Sequence, residues 1–549
     1  MARLDRLAPI KEIAQIGATI GREFPHSLLE AVSPTQGVAL QDALDQLIAA
    51  GLIFKHGAES EASYTFKHAL VQDTAYATLL KSRRQQLHQR IAESLRDHFP
   101  DRAEREPGIV AHHFTRAGLP ETAIEWWGRA GDRAMRGFAN HEAALSYVKG
   151  LNLMADLPPG EERARRELAF RLALGPALLA ARGYASEEVE RNYQEASRLA
   201  EHLSDREAAF TSARGQWHYL YDRSQLDRAL ALAERLRDIG AEDSSAEKSS
   251  LAFRAVGSTL MSKGEFVRAI EAFERCITHG SQTPLDASFA HHGEEPHIVA
   301  LQYKGLSLAV RGYADSGLAS AQSALSLAKT LNFPLMVAFA STAVGMVLML
   351  RRDYQLCAAL ARQQIDFCSE QGFIFWSAAH EILHGASRAC LDGDLEGLIQ
   401  LEEGIRSWKK TGAALHIPTW SSYLADAALH VGNLDCAQKA VSSGIEVSER
   451  NGDAFALADL KRLSGRVFLR LDRYDEARRE FEAALGIAQQ QDAGLYLLRA
   501  GRDLAQLISD NGDKTGARTI LLPIAERTTE LRTGLDFQEA AALLSIPSS

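Results

Sequence analysis

Leu471 to Gln490 reads "LDRYDEARREFEAALGIAQQ". The Asp472 turn ends one helix, and the next helix places Tyr474, Ala477, Phe481, Ala484, Leu485 and Ala488 on one face at helical spacing. The same punctuation recurs as "RSQL" at Ser224, "KGEF" at Gly264, "RGYA" at Gly312, "RRDY" at Arg352, "DGDL" at Gly393, "VGNL" at Gly432 and "NGDK" at Gly512. From Gly312 onward the steps are 40, 41, 39, 40 and 40 residues, and Ser224 lies 40 before Gly264. Five residues after the turns come Ala229, Ala269, Gly317, Cys357, Ala437, Ala477 and Ala517, with Leu398 as the exception. A small residue there lets two antiparallel helices approach closely. Helix pairs repeated at this period predict a tetratricopeptide-like α-solenoid.

One step is longer, 48 residues from Gly264 to Gly312, and its "SQTPLDASFAHHGEEPHIVA" (Ser281–Ala300) reads as an inter-repeat loop. Upstream, Gly118–Leu151 continues the helix-pair style, and "PPGEERARRE" (Pro158–Glu167) reads as a charged connector.

The totals fit a helical chain. Only 15 prolines occur in 549 residues, and charged residues make up 24%. A net charge of −10 opposes broad affinity for nucleic acid or anionic membrane, since both need concentrated Lys and Arg. The five cysteines, Cys276, Cys357, Cys368, Cys390 and Cys436, form no Cys-x-x-Cys pair, which predicts free thiols and a cytoplasmic setting. Phe333–Leu350 holds 18 residues without a charge, the lower edge of membrane-spanning length. It falls in phase with the repeat and carries Pro334, Ser341, Thr342 and Gly345, so a buried solenoid helix is expected.

The first hundred residues differ. "KEIAQIGATIG", "PHSLLEAV" and "LQDALDQLIAAGLIF" read as helices, the last passing into a strand, polar turn and strand over "GLIFKHGAESEASYTFKH". That is a winged-helix-like pattern. Its groove helix, Leu40–Ala50, carries Asp42 and Asp45 and no base, so it would repel phosphate. The basic run "KSRRQQLHQR" (Lys81–Arg90) reads as a solvated helix face.

Chemistry is scarce. No Gly-Lys dipeptide occurs, hence no Walker A loop, and there is no Gly-x-Ser-x-Gly elbow. "AHEILHG" spells His380-Glu381-x-x-His384, the spacing of zinc peptidases, with Glu402 or Glu403 as conceivable third ligands. It sits on a solenoid helix with neither cleft nor strand edge, and chance alone yields such a match in roughly one such chain in twenty to thirty. The pairs His112/His113 and His291/His292, with His297, read as satisfied or solvated side chains. No catalytic, cofactor-binding or metal residue is therefore assigned. "QWHYLYDR" is unusually aromatic, and its Trp217, His218, Tyr219 and Tyr221 are either ligand contacts or inter-repeat core.

"YTFKHALVQDTAYATLL" (Tyr64–Leu80) gathers Tyr64, Lys67, His68 and Asp73 as an active site would. His68 and Asp73 stand five apart and do not face each other on a helix. Phe66, Leu70, Ala77 and Leu80 against Val71, Ala75 and Leu79 give two apolar sides, the pattern of a helix sandwiched at a junction between modules.

This segment, with "MARLDRLAPIKEIAQIGATIGREF", "LDQLIAAGLIF", "VAHHFTRAGLPETAIEWWGRAGDRA", "RRELAFRLALGPALLAARGY", "EQGFIFWSAAH" and "KKTGAALHIPTW", resembles the C-terminal part of large bacterial signalling proteins. Those join a class III adenylate/guanylate cyclase, a STAND ATPase of the AAA/NB-ARC kind and tetratricopeptide repeats. The resemblance implies a winged-helix-like domain over 1–100, less regular helix pairs over 101–200 and tetratricopeptide-like repeats over 201–545. It implies that the family's phosphate loop and cyclase lie ahead of the matched part, so neither activity attaches to a residue of this chain. The expected function is a non-catalytic regulatory and protein-interaction module, without cofactor, whose concave solenoid face takes a protein, a peptide or a small inducer. The alternatives are the regulatory part of a cyclase or ATPase supplied upstream or on another chain, and a winged-helix transcriptional regulator.

Overall fold

The computed structural model describes residues 8–57, 62–137, 139–182, 186–282, 295–527, 530 and 534–545. Most of the expected loop at Ser281–Ala300, with His291 and His292, and the tip of the expected hairpin lie outside them. The described chain is mainly α and divides into two compact units: 1–181 with 198–205, and 182–197 with 206–549.

In the first unit, α1 (Ala8–Ile20), β1 (Glu23–Pro25), α2 (His26–Val32), α3 (Gly37–Ala49), β2 (Ile53–His56) and β3 (Ser63–Phe66) precede α4 (Ala69–Ala77) and α5 (Lys81–His98). The three strands form an antiparallel sheet in the order β1-β3-β2. Strand β1 is additional to the expected hairpin. Its Phe24 is fully buried, pairs with Tyr64, and lays its ring over Gly17, where a Cβ would come within 2.8 Å. Then follow α6 (Pro100–Arg105), α7 (Pro107–Ala117), α8 (Pro120–Arg136), α9 (Asn140–Leu153) and α10 (Glu161–Arg182), the first three each opened by a proline whose missing N–H costs a helix start nothing. Helix α10 absorbs the second half of the expected connector at Pro158–Glu167, where Glu161, Glu162, Arg165 and Arg166 pair at i,i+4. One hydrophobic core runs from Ile10 to Ala130.

The junction reading of Tyr64–Leu80 needs correction. Tyr64 and Phe66 belong to β3, the helix ends at Ala77, and only its Val71–Ala75 side packs inward. Leu70 and Leu80 are each 77% exposed and Ala77 is exposed, so the second apolar side meets solvent rather than a neighbouring module.

The second unit is built of helix pairs. After α11 (Glu187–His202) come α12 (Arg206–Asp222) with α13 (Leu226–Glu242), α14 (Ala246–Ser262) with α15 (Phe266–Gly280), and α16 (Pro296–Val310) with α17 (Ala314–Thr330). Next are α18 (Pro334–Arg351) with α19 (Tyr354–Gln371), α20 (Ile374–Asp392) with α21 (Leu395–Lys410), and α22 (Ile417–Val431) with α23 (Leu434–Asn451). The array ends with α24 (Leu457–Arg470) and α25 (Tyr474–Gln490), α26 (Gly494–Asp510) and α27 (Lys514–Arg527), and α28 (Leu535–Leu544). The first helix of a pair is buried around most of its circumference, as α14 and α18 show, whereas the second keeps one buried stripe.

All eight turn anchors, Ser224, Gly264, Gly312, Arg352, Gly393, Gly432, Asp472 and Gly512, adopt positive φ, closing the first helix of each pair by a left-handed cap. A second left-handed series joins one pair to the next: Ser204, Ser244, Asn332, Gly372, Gly412, Gly452 and Asp492. From Asn332 its members also fall every 40 residues. The sequence reading found the first series and missed the second, whose serines, asparagine and aspartate disguise it.

The exception at Leu398 has a steric explanation. Its neighbour Gly397 faces Gly385, where a Cβ would stand 2.5 Å from the Gly397 carbonyl oxygen, so the small contact has moved by one residue. Helix α18 carries the long apolar run. It has a mean hydropathy of 1.7 and the length to cross a bilayer, and 72% of it is buried inside the second unit. Burial on that scale fits a core helix.

Candidate functional site

The pairs of the second unit return on themselves. The carbonyl oxygen of Asp222, at the end of α12, accepts from Ala414 N (2.8 Å) and Leu415 N (3.1 Å) just before α22. Ser262, at the end of α14, does the same for Ala454 N (2.8 Å) and Phe455 N (3.1 Å) before α24. Arg311 pairs with Asp492 and its carbonyl abuts Gly494, joining the end of α16 to the start of α26. Each rung links the end of one first helix to the start of the first helix five pairs later. Orphan carbonyls at a helix C-terminus thereby meet N–H groups that no helix has yet used. We call this line of contacts the seam.

Beside the first rung lies a recess with a cavity volume of about 60 Å³. The first helices α12, α16, α18, α20 and α22 contribute rings to it, α14 contributes Arg254, and the second helix α21 adds Trp408. Tyr303 contacts Phe339 at 5.7 Å between centroids, Phe339 stacks on Trp376 at 4.4 Å, and Trp376 meets Phe375 edge-on. Phe375 lies 4.2 Å from Trp408, which meets Trp420 at 5.6 Å. Phe339, Phe375 and Trp376 are partly exposed at the mouth, while Trp408 and Trp420 are buried. Trp408 Nε1 donates to the Leu415 carbonyl. The Nε1–H of fully buried Trp420 and the Nδ1 of His416 have no hydrogen-bond partner among the described residues. His416 takes φ +64, a left-handed conformation that a non-glycine residue adopts at a cost, and burial pushes its pKa down to about 4. His218, Tyr221, Asp222 and Arg254 complete one wall.

The aromatic octapeptide divides between the two readings it allowed. Trp217 is core: it is fully buried, donates from Nε1 to Thr259 Oγ1 at 3.0 Å, stacks on Tyr221 and lies under the Arg254 guanidinium. His218 and Tyr221 face the recess. Tyr219 is buried and does not line it. The sequence reading missed Phe339, Trp376, Trp408, His416 and Trp420. For Trp376, His416 and Trp420 the signal was the aromatic content of "EQGFIFWSAAH" and "KKTGAALHIPTW", whereas Phe339 lay inside the apolar run and Trp408 just ahead of the second segment.

Further along the seam is a buried network of charges. Arg499 holds Asp536 at 2.9 Å, Arg462 bridges Asp459 (2.7 Å) and Asp503 (3.1 Å), Arg502 pairs with Asp503 and Glu539, and Arg352 with Glu539. The arginines Arg502, Arg462 and Arg466 hold the Asp503 carboxyl at about 2 against the upward push of burial. On the rim of this network, ligand atoms of Cys390, Asp426 and His430 lie within 4.8 Å of one another. Asp426 is already engaged by Arg466 at 3.1 Å, and Arg352 and Arg466 add positive charge beside the Cys390 thiol. A cation would have to displace an arginine there. The residues are spread over α20 and α22, so no spacing in the sequence marks them.

His380 and His384 serve separate contacts. His380 is fully buried, with Nε2 3.2 Å from the Ala338 carbonyl and 3.3 Å from Ser341 and Thr342, and burial lowers its pKa to about 4. Nδ1 of His384 meets Gln400 Oε1 at 2.9 Å. Burial, reinforced by Glu403, raises the pKa of Glu381. In the first unit, His68 precedes α4 and is exposed, as is Asp73, and Lys67 lies over the Phe54 ring. Tyr76 instead reaches His88 Nε2 at 3.0 Å, and His88 Nδ1 meets His113 Nδ1 at 2.8 Å in the core.

No protein-family model matches the chain. It is 24% identical over 513 residues to "Uncharacterized protein R02095" of Rhizobium meliloti (strain 1021), a match covering 92% of this chain and 49% of the other. The chain thus spans about half the length of the curated relative it matches. Among solved structures, a STAND protein with a tetratricopeptide repeat sensor from Pyrococcus horikoshii aligns with TM-score 0.43 and 12% identity over 80% of this chain and 64% of that one. The Cut9–Hcn1 hetero-tetramer of the APC/C gives 0.46 and 13% over 86% and 92%. A Rap protein complexed with competence and sporulation factor gives 0.46 and 12% over 67% and 98%. These are loose likenesses, and the helix-pair architecture rests on the geometry of this chain.

Proposed function

We propose that the chain is a non-catalytic regulatory and interaction module of a bacterial signalling protein, with a winged-helix-like module ahead of a sensor solenoid. In this reading the N-terminal hundred residues are a distinct module, the next hundred are less regular pairs, and the repeats from about 201 receive the signal. One observation carries it: an aromatic recess with polar atoms that lack a partner among the described residues sits beside the first rung of the seam. A ligand that prefers one arrangement of the seam would shift the population of that arrangement, and any partner reading the curvature would respond. Protein or peptide partners suit such repeat surfaces.

The regulatory part of a cyclase or ATPase carried elsewhere is the second reading, favoured by a relative twice as long as this chain. The transcription-regulator reading has less support, because Asp42 and Asp45 stand exposed on α3. The test is twofold. Purified chain is assayed for ATP hydrolysis and cyclic-nucleotide synthesis, and a mixed library of metabolites and peptides is screened by thermal shift against wild type and Trp376→Leu. Stabilisation by a library member that the variant loses, without turnover, supports the proposal. Turnover by this chain alone overturns it.

A further inference from the structure

The seam decides what kind of ligand the recess takes. An extended peptide lying along the inner wall would have to pass the rungs Asp222–Ala414/Leu415 and Ser262–Ala454/Phe455, which are direct backbone hydrogen bonds of 2.8 to 3.1 Å. The recess adjoins the first of these rungs, with Asp222 and Leu415 in its wall. Its walls are π faces: Phe339 and Trp376 stack at 25°, and the nearby Phe375 and Trp408 rings are tilted at 37°. Rings pack on such walls by offset stacking or edge contact, which a flat ligand satisfies better than a saturated one.

Polar groups set the rest. Asp222 and Arg254 both line the recess, so a ligand with net charge of either sign meets one like charge. Trp420 offers a buried donor without a partner among the described residues, and a ligand acceptor would offset its desolvation. His416 beside it has an unmatched ring nitrogen, 5.9 Å between ring centroids from Trp420. Two buried polar atoms without a partner among the described residues, on neighbouring rings that line the recess, describe a hydrogen-bonding subsite.

We propose that this recess binds a small, flat, uncharged aromatic molecule of one or two rings whose carbonyl or ring heteroatom accepts from Trp420 Nε1. The proposal rests on the reading of the second unit as the receiving part of the module, and it names the ligand class. Because Leu415 is at once recess wall and held through its N–H by the Asp222 carbonyl, and His416 follows it in the chain, occupancy bears directly on the first rung of the seam. A ligand that fills the recess would hold the rung in the arrangement described above.

The test uses full-length chain and four probes: α-tetralone, its saturated counterpart 1-decalone, tetralin without the acceptor, and L-tryptophan as a zwitterion. Binding is followed by calorimetry, and contacts by nuclear Overhauser effects from probe to isotope-labelled Phe and Trp rings of the wild-type protein. Saturable α-tetralone binding is expected, with tetralin and 1-decalone each weaker and ring contacts to Phe339 and Trp376. Trp420→Phe keeps the ring and removes the donor, and it should weaken α-tetralone about three- to tenfold while leaving tetralin unchanged. Trp376→Leu should weaken both. The wild-type ring contacts decide the matter even where a variant unfolds.

Absence of saturable α-tetralone binding, equal binding of 1-decalone, or an unchanged Trp420→Phe variant would overturn the proposal. Tighter binding of L-tryptophan than of α-tetralone would overturn the uncharged class. If the aromatic probes fail but a library peptide binds and Trp376→Leu abolishes it, the ligand class falls while the receiving module stands. If nothing binds, both fall.

Discussion

Arg499 donates from Nη2 to the backbone carbonyl of Leu350 at 2.6 Å, across 149 residues of chain, while the same guanidinium holds Asp536 at 2.9 Å. One side chain therefore ties α18, α26 and α28 together.

Replacing Arg499 by Ala leaves the Asp536 carboxylate buried beside longer contacts to Arg352 (3.5 Å) and Arg502 (3.6 Å), and strands the Leu350 carbonyl. Breaking a buried pair from one side typically costs about 3–5 kcal/mol, so Arg499→Ala should lower stability by roughly that amount in urea titration. The double change Arg499→Met with Asp536→Leu should lose much less. Equal losses in the two would show that the pair acts by shape rather than by charge.

The glycine contact between α20 and α21 makes a steric prediction. A Cβ on Gly385 would meet backbone atoms of Gly397 and Leu401 at 2.5 and 2.6 Å, which cannot give as a side-chain tip can. Gly385→Ala should destabilise by about 1–3 kcal/mol, as overpacking does. Gly486 on α25 has nothing within 4 Å of its ideal Cβ, and Gly486→Ala should stabilise by about 0.5–1 kcal/mol through helix propensity. Thermal melts of the two variants side by side would check the contrast, and matching shifts would refute it.

Asp453 gives a pH signature. Its carboxyl is fully buried, accepts from the His416 N–H at 3.2 Å, and burial raises its pKa to about 7. The unfolded value is the ordinary one near 3.8. The group's contribution is thus fully present below about 3.8 and is lost as pH rises towards 7. Asp453→Asn removes that loss, so the variant's stability relative to wild type should increase from pH 4 to pH 8. A difference that stays flat across this range would contradict the assignment.

The buried histidine pair of the first unit works in the opposite sense. Burial lowers His88 to about 4 and His113 to about 3, with His112, Arg116, Arg84 and Arg102 adding like charge. Both rings are neutral in the folded protein, so stability is complete above the ordinary value near 6.5 and falls as pH drops through 4. Amide exchange in α5 and α7 should accelerate over that interval. His113→Gln should reduce the acceleration. Unchanged exchange down to pH 4 in the wild type would count against it.

The solenoid was legible because its signal is local. A left-handed turn needs Gly, Asn, Asp or an equivalent, and a small side chain five residues later lets the helices close, so both appear at fixed spacing along the chain. The second turn series was obscured because two serines, an asparagine and an aspartate (Ser204, Ser244, Asn332 and Asp492) take the same conformation as its glycines. The seam was invisible for a different reason. Asp222 and Ser262 act there through backbone carbonyls, which carry no side-chain signature. The Arg499–Asp536 pair also spans 37 residues, beyond the reach of any helical periodicity. Helix α4 misled because exposed Leu70 and Leu80 look like core on a wheel, and only the packed structure tells which apolar side is covered.

The seam also changes how the array should be counted. In a simple solenoid each repeat answers only to its neighbours, and adding or deleting one alters length and little else. Here every rung joins partners five pairs apart, so removing one pair from the middle would bring each remaining partner opposite the wrong helix end. The number of pairs is consequently a structural parameter in its own right, as thread pitch is for a screw. Unfolding should involve a block at least five pairs long, rather than fraying pair by pair from the ends.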